Sequence, residues 1–357
     1  MQITSWMAER PGAPMAPVRR DETPGPGDVL VAVAGCGVCH TDLGFYFDGV
    51  PTRHPFPLCL GHEVSGTVVE AGPGAATWLG RRVVVPAVIP CGECPACRAG
   101  RGAICPTQVF PGNDVHGGFA THVRVPARGL CPVPDLDDSR INPGGLDLAS
   151  LSVLADAVST PYQAVVRSGL AAGDIGIFVG VGGVGSFGVQ IAAAFGAVVA
   201  AVDVDQARLD RALQHGARVA YRADQMDAKA LRQAMRALAE AHGVPSWRVR
   251  IFETSGTPEG QATAFNLLGP GGFLSVVGFT PKRVELRLSN LMAFDATAQG
   301  NWGCDPALYP DALALCLAGR VALRPFIEPR PLSSINETFA DVHAGRVARR
   351  VVLVPEA

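Results

Sequence analysis

The chain has 357 residues, 30 of them Lys or Arg and 32 Asp or Glu, for a formal net charge of −2; it lacks the basic excess that a nucleic-acid partner requires. With 48% apolar residues and so little net charge it is not a disordered chain, and its length points to two domains. The first residues are broken by Glu9, Pro11 and Pro14, and no apolar run follows a basic start, so no secretory signal is expected and the protein is expected to be cytoplasmic.

In chain order, residues 1–157 alternate Val-rich runs (29–33, 68–69, 83–85, 123–125) with Pro/Gly breakers at 24–27 and 111–114. That texture predicts short antiparallel strands joined by long loops. From 158 to 302 strand-like runs (176–179, 198–202, 249–252, 273–277) alternate with helical stretches. In the stretch 227–242, Leu231, Met235 and Leu238 fall on one helical face. Alternation of this kind predicts a parallel sheet covered by helices on both sides. Residues 303–357 hold a helix near 306–318 and then Pro-punctuated strands, and they group with the first segment. The uncharged run 175–202 is long enough to span a bilayer. Its clustered glycines, 180, 182, 183, 185 and 188, instead fit a strand, a turn, a helix and a second strand, so no membrane association is expected.

That turn reads Gly180-Val181-Gly182-Gly183-Val184-Gly185, the G-x-G-x-x-G pattern between strand and helix that lets backbone amides approach a pyrophosphate. Asp203 stands eighteen residues past Gly185, at the end of the next strand. An acid there accepts the adenosine ribose hydroxyls and repels a 2′-phosphate, which predicts NAD rather than NADP. Arg208, five residues on, weakens that preference.

Four of the ten cysteines, Cys91, Cys94, Cys97 and Cys105, lie within fifteen residues. Four thiolates on one loop predict a closed structural zinc site. The rival is an iron–sulfur cluster, since Pro106 follows Cys105; the last gap of seven residues, not three, argues against it. Cys39-His40-Thr41-Asp42 and Gly61-His62-Glu63 carry further metal-binding residue types, but their spacing alone defines no site.

Taken together, these motifs and Gly117-Gly118-Phe119-Ala120 occur in an order that resembles the zinc-dependent medium-chain alcohol dehydrogenases. The resemblance implies an α/β protein with a GroES-like, mainly-β catalytic domain (1–157 and 303–357) and a Rossmann, doubly wound parallel-sheet domain (158–302). It implies two zinc ions, with Cys39 and His62 as catalytic ligands and Glu63 as the nearby acid that can swing onto the metal. The chain departs from the commoner pattern at the third ligand, where Asp156 replaces Cys; Asp156 is expected to take that place. Thr41 matches the hydroxyl that hydrogen-bonds the alcohol, with His40 beside it. His40 and Arg349 match pyrophosphate contacts, Arg208 a ribose contact, and Val277 and Trp302 the nicotinamide pocket. Some relatives end a proton relay in a His where this chain has Gly44. The resemblance also implies a homodimer or homotetramer.

Four longer stretches, 39–50, 110–118, 155–162 and 290–303, resemble more narrowly those members that oxidise a cyclic hydroxy-enoyl-CoA thioester. For such a cyclic acyl-CoA substrate, Arg53 and His54 are candidate contacts to the CoA tail. A polyol or simple alcohol dehydrogenase would share the shorter motifs. A zinc-free reductase shares the fold without the ligands, and a non-enzymatic zinc module leaves the glycine turn with Asp203 unexplained.

Overall fold

The structure is a computed structural model that describes residues 1–356. Its strands and helices run in chain order as β1 (Gln2–Ala8), β2 (Ala16–Asp21), β3 (Asp28–Gly37), α1 (His40–Tyr46), β4 (Leu58–Cys59), β5 (Glu63–Ala71), β6 (Arg82–Val85), α2 (Pro95–Arg98), β7 (His122–Pro126) and β8 (Cys131–Pro132). There follow α3 (Ser159–Arg167), β9 (Ile175–Val179), α4 (Gly185–Ala194), β10 (Val198–Asp203), α5 (Gln206–Gln214), β11 (Val219–Arg222), α6 (Ala228–Ala241), β12 (Val249–Glu253), α7 (Pro258–Asn266), β13 (Phe273–Val276), α8 (Ser289–Phe294) and β14 (Thr297–Gly300). The chain ends with α9 (Tyr309–Leu317), β15 (Ile327–Pro331), α10 (Ile335–His343) and β16 (Arg350–Val354). Among the described residues no helix is long and apolar enough to cross a membrane.

The chain divides into two compact units, one made of Met1–Ser159, Gly303–Gly319 and Leu323–Ala357, the other of Thr160–Trp302 with Arg320–Ala322. In the first unit the main sheet has the order β15-β16-β3-β5-β6-β8, and β7 also pairs with β3. β3 is the hub. Irregularities between Leu30 and Val31 and between Val33 and Gly35 let one long strand serve β5, β7 and β16. The inward residues of these strands, Val29, Val31, Val64, Val68, Val83 and Val85 among them, form its apolar core. A 3-10 helix, Ala149–Ala155, is tied to β5 where Ser65 Oγ donates to Leu148 O at 2.5 Å.

The second unit is a six-stranded sheet, β11-β10-β9-β12-β13-β14, parallel throughout. That order reverses between β9 and β12, the crevice where such sheets bind dinucleotides. β9 is buried along its whole length, as a strand covered on both faces should be. α6 buries Leu231, Met235 and Leu238, the face expected from their spacing, and Asp227 caps it by accepting from Ala230 N at 2.7 Å. The run 175–202 resolves into β9, the turn, α4 and β10. In the tail α10 separates the two strands and buries Ile335, Thr338 and Phe339, where the sequence reading had strands alone.

Candidate active site and metal centres

Register brings the first constellation together. β3 and β5 pair Gly37 with Glu63, so the chain leaving β3 (Cys39) and the chain entering β5 (His62) meet at one end of the sheet. Asp156 arrives at the same place, immediately after the 3-10 helix that lies on β5. The ligand atoms of Cys39, His62, Glu63 and Asp156 all lie within 4.8 Å of one another. Cys39 Sγ is 3.6 Å from Asp156 Oδ2, and His62 Nε2 is 3.5 Å from the same oxygen.

The donor set fits a metal. His62 is 1% exposed, yet its Nε2 makes no well-formed hydrogen bond, only the 3.5 Å approach to Asp156 Oδ2, an arrangement a buried polar atom rarely tolerates. Its other nitrogen, Nδ1, is held 3.1 Å from Asp42 Oδ1, the carboxylate–histidine support that orients a metal-binding imidazole. Burial alone would push His62 down, but Asp42 and Asp156 outweigh it and favour positive charge there. Asp42 does a second job through Oδ2, which accepts from Cys39 N at 3.0 Å and caps α1. One residue thus fixes both Cys39 and His62. Thr41, half-buried in the first turn of α1, places Oγ1 3.7 Å from Cys39 Sγ.

Glu63 is fully buried and engaged by Arg350 at the start of β16: Nε donates to Oε2 at 2.7 Å and Nη2 to Oε1. Burial pushes Glu63 up to about 7 against the pull of that guanidinium. Gly37 makes the pair possible, since a Cβ there would stand 2.0 Å from Glu63 Oε2.

The four clustered cysteines form the second constellation. Cys91 and Cys97 sulfurs are 3.8 Å apart, Cys94 and Cys97 3.4 Å, Cys94 and Cys105 3.8 Å. A tetrahedron of thiolates at the usual zinc–sulfur distance has edges of about 3.8 Å. All ten cysteines are free of disulfides. Backbone amides turn onto the sulfurs: Cys91 N donates to Cys105, Cys94 N to Cys91 and Cys97 N to Cys94, at 3.3–3.4 Å. Such donors stabilise thiolates.

In the second unit Gly180 has φ +88°, and a Cβ there would stand 2.4 Å from Ser255 Cα; one on Gly185 would meet Gly180 O at 1.9 Å. Gly182 is open except for the Arg208 guanidinium, whose Nη1 would be 3.6 Å from such a Cβ. The turn is therefore tight where it folds and bare where a pyrophosphate would approach. Gly183 and Val184 complete the turn, and α4 starts without a side-chain cap. Asp203 Oδ2 accepts from Val181 N at 2.7 Å, tying β10 to the turn.

The family signature described as alcohol dehydrogenase GroES-like domain matches residues 25–135, and that described as zinc-binding dehydrogenase matches 183–318. An alcohol dehydrogenase of Geobacillus stearothermophilus is 31% identical over 330 residues, 92% of this chain and 91% of the relative. The chain belongs to the zinc-dependent medium-chain alcohol dehydrogenase family. D-arabinose 1-dehydrogenase (NADP(+)) of Saccharolobus solfataricus is also 31% identical, over 92% of this chain and 90% of the relative. A cobalt- and zinc-bound thermostable alcohol dehydrogenase from Pyrobaculum aerophilum superposes with a TM-score of 0.82 at 25% identity, covering 99% of this chain and 100% of that one.

As a medium-chain dehydrogenase the protein is a zinc-dependent oxidoreductase acting on CH–OH groups, with the GroES-like and Rossmann folds of that family. Of the remaining expected residues, His40 opens α1 and is exposed. Arg349 is also exposed, and it is its neighbour Arg350 that turns inward to Glu63. Val277 lies just past β13, its N–H donating to Glu253 O at 2.9 Å, and Trp302 is half-exposed. Gly44 is buried, and a Cβ there would make an ordinary contact with Val50 at 3.4 Å; the chain has no histidine at this place. Sequence reasoning assigned no role to Asp42 or Arg350. Asp42 carried a signal, three residues after Cys39 at a helix start; Arg350, in an Arg-Arg pair, carried none.

Proposed function

We propose that this enzyme oxidises the ring hydroxyl of 6-hydroxycyclohex-1-ene-1-carbonyl-CoA to 6-oxocyclohex-1-ene-1-carbonyl-CoA, a step of anaerobic benzoyl-CoA degradation, with NAD+ as hydride acceptor. The observation behind the chemistry is the convergence of Cys39, His62 and Asp156 beside the Thr41 hydroxyl. The substrate rests on the stretches 39–50, 110–118, 155–162 and 290–303.

Cys39, His62 and Asp156 would hold a catalytic zinc, with Glu63 close by, and the four-cysteine loop would hold a structural one. Zinc, when bound, supplies Lewis acidity that polarises the substrate oxygen and lowers the alcohol pKa; the nicotinamide supplies the hydride acceptor. The chain does the rest. Thr41 Oγ1 accepts the hydroxyl proton in a hydrogen bond and passes it towards water, with no histidine at Gly44 to receive it. The carbinol carbon loses its hydrogen with the electron pair, and the C=O bond forms. The Asp156 carboxylate donates less charge than a thiolate, which favours polarisation of the alcohol.

The coenzyme preference follows from Asp203, 6% exposed at the end of β10. Its Oδ1 accepts from Val204 N and Asp205 N at 2.8 and 3.0 Å, so the carboxylate is fixed and a 2′-phosphate would meet its charge. Arg208 Nη1 stands 4.0 Å from Oδ1. Asp203→Asn keeps an acceptor for Val204 N and Asp205 N, gives up the bond from Val181 N, and removes the charge. It should lower the NAD-over-NADP ratio of kcat/KM by about 10-fold, or about 1.4 kcal/mol, measured by initial rates with both coenzymes.

A second reading, oxidation of another secondary or cyclic alcohol or of a polyol, is favoured by the names of the relatives and by Arg53. That side chain faces Asp114, Nε to Oδ1 3.6 Å, which opposes a role in meeting CoA phosphates. Comparing NADH formation from the cyclic hydroxy-enoyl-CoA, the free cyclohexenol and a primary alcohol separates the two. A rate confined to the thioester is the expected result; equal or better turnover of the free alcohols would overturn it. The functional unit we propose is a homodimer or homotetramer.

A further inference from the structure

Asp156 stands between the 3-10 helix Ala149–Ala155 and α3, with φ −143° and ψ −59°, so neither helix sets its position. What sets it is the carbonyl of the residue before. Ala155 O accepts from Tyr309 Oη at 2.5 Å, from Ser159 Oγ at 3.2 Å and from Ala87 N at 3.3 Å. Ala87 N also lies 3.3 Å from Tyr309 Oη. A carbonyl can only accept, so the phenol must be the donor of the short bond. Tyr309 and Ser159 are both fully buried, and a hydroxyl is kept in such a place only when it is satisfied. Tyr309 is reached from far along the sequence: it opens α9, which brings it back against the first unit's sheet.

We propose that Tyr309 is a positioning residue for the third metal ligand: together with Ser159 it clamps the Ala155 carbonyl and thereby aims the Asp156 carboxylate at Cys39 and His62. This rests on Asp156 being a zinc ligand. A side chain as short as that of Asp reaches a metal only if its backbone is held in place. Hydrogen-bonded supports of this kind change metal affinity by about 10–100-fold when removed.

The test is competition of the zinc-loaded enzyme against a chromophoric chelator, which resolves the two zinc affinities. The four-cysteine loop is the internal reference. Tyr309→Phe should weaken the catalytic zinc by about 10–100-fold and leave the cysteine zinc unchanged; Ser159→Ala should weaken the same zinc by a smaller factor. Wild-type affinity at both sites in Tyr309→Phe would overturn the proposal, as would equal weakening of both sites with a fall in the melting temperature of the zinc-free protein. Asp156→Ala distinguishes the underlying assignment. If it too keeps wild-type affinity, Asp156 is not a ligand; if it loses the zinc while Tyr309→Phe does not, only the clamp is wrong.

Discussion

His62→Ala should lower kcat/KM by at least about 10³-fold, equivalent to about 4 kcal/mol of transition-state stabilisation. The variant should also lose one of the two zinc ions proposed per chain. His62 is the one candidate ligand buried at 1% exposure with a nitrogen that makes no hydrogen bond, and its removal leaves Cys39 and Asp156, with Glu63 engaged by Arg350, too few to hold zinc with an open position. The four-cysteine site shares no residue with it, so the remaining ion should stay. Initial rates and metal analysis on the same preparation check both halves. An activity loss with zinc content unchanged would place His62 in another role.

Arg350→Ala should destabilise the first unit by about 3–5 kcal/mol, read from denaturant midpoints. The magnitude comes from what is left behind: Glu63, fully buried, would lose the guanidinium that engages both its oxygens. To remain buried it must then take up a proton. Its pKa already stands at about 7 with Arg350 present, and removing the cation raises it further above the unfolded-state value. The folded variant therefore binds more protons than the unfolded chain above the ordinary carboxylate range, and the part of its deficit that charge causes should be full at alkaline pH and shrink as pH falls to about 7, where Glu63 of the wild type is also protonated. The double variant Arg350→Ala, Glu63→Gln should recover part of the loss. A single-variant loss that is independent of pH would mean that packing, not charge, holds this contact.

The Rossmann unit was largely legible from sequence because its signals are local. β9 with its glycine turn, and α6 with Leu231, Met235 and Leu238, each declare themselves within a window of a dozen residues. The four-cysteine loop is local for the same reason. The active-site set is not. Cys39 and His62 are joined by the register of β3 with β5, and Asp156 by a carbonyl clamp that spans more than 150 residues. No periodicity encodes such contacts, and a resemblance to known dehydrogenases was needed to connect them. Arg350 and Tyr309 were invisible for a further reason. Their work is to satisfy buried groups, Glu63 and Ala155, and that need exists only once the chain is folded. The tail shows a milder version: Ile335, Thr338 and Phe339 did carry helical spacing, but Pro329 and Pro331 nearby favoured a reading as strands.

Cys39, His62 and Asp156 are proposed to hold one metal jointly, distinct from the one proposed for the cysteine loop. Anomalous diffraction from crystals of the purified protein, collected on both sides of the zinc absorption edge, tests it most directly. Two peaks per chain are predicted, one enclosed by Cys91, Cys94, Cys97 and Cys105 and one touching Cys39, His62 and Asp156. A single peak confined to the cysteine loop in active enzyme would mean that Cys39, His62 and Asp156 hold no metal.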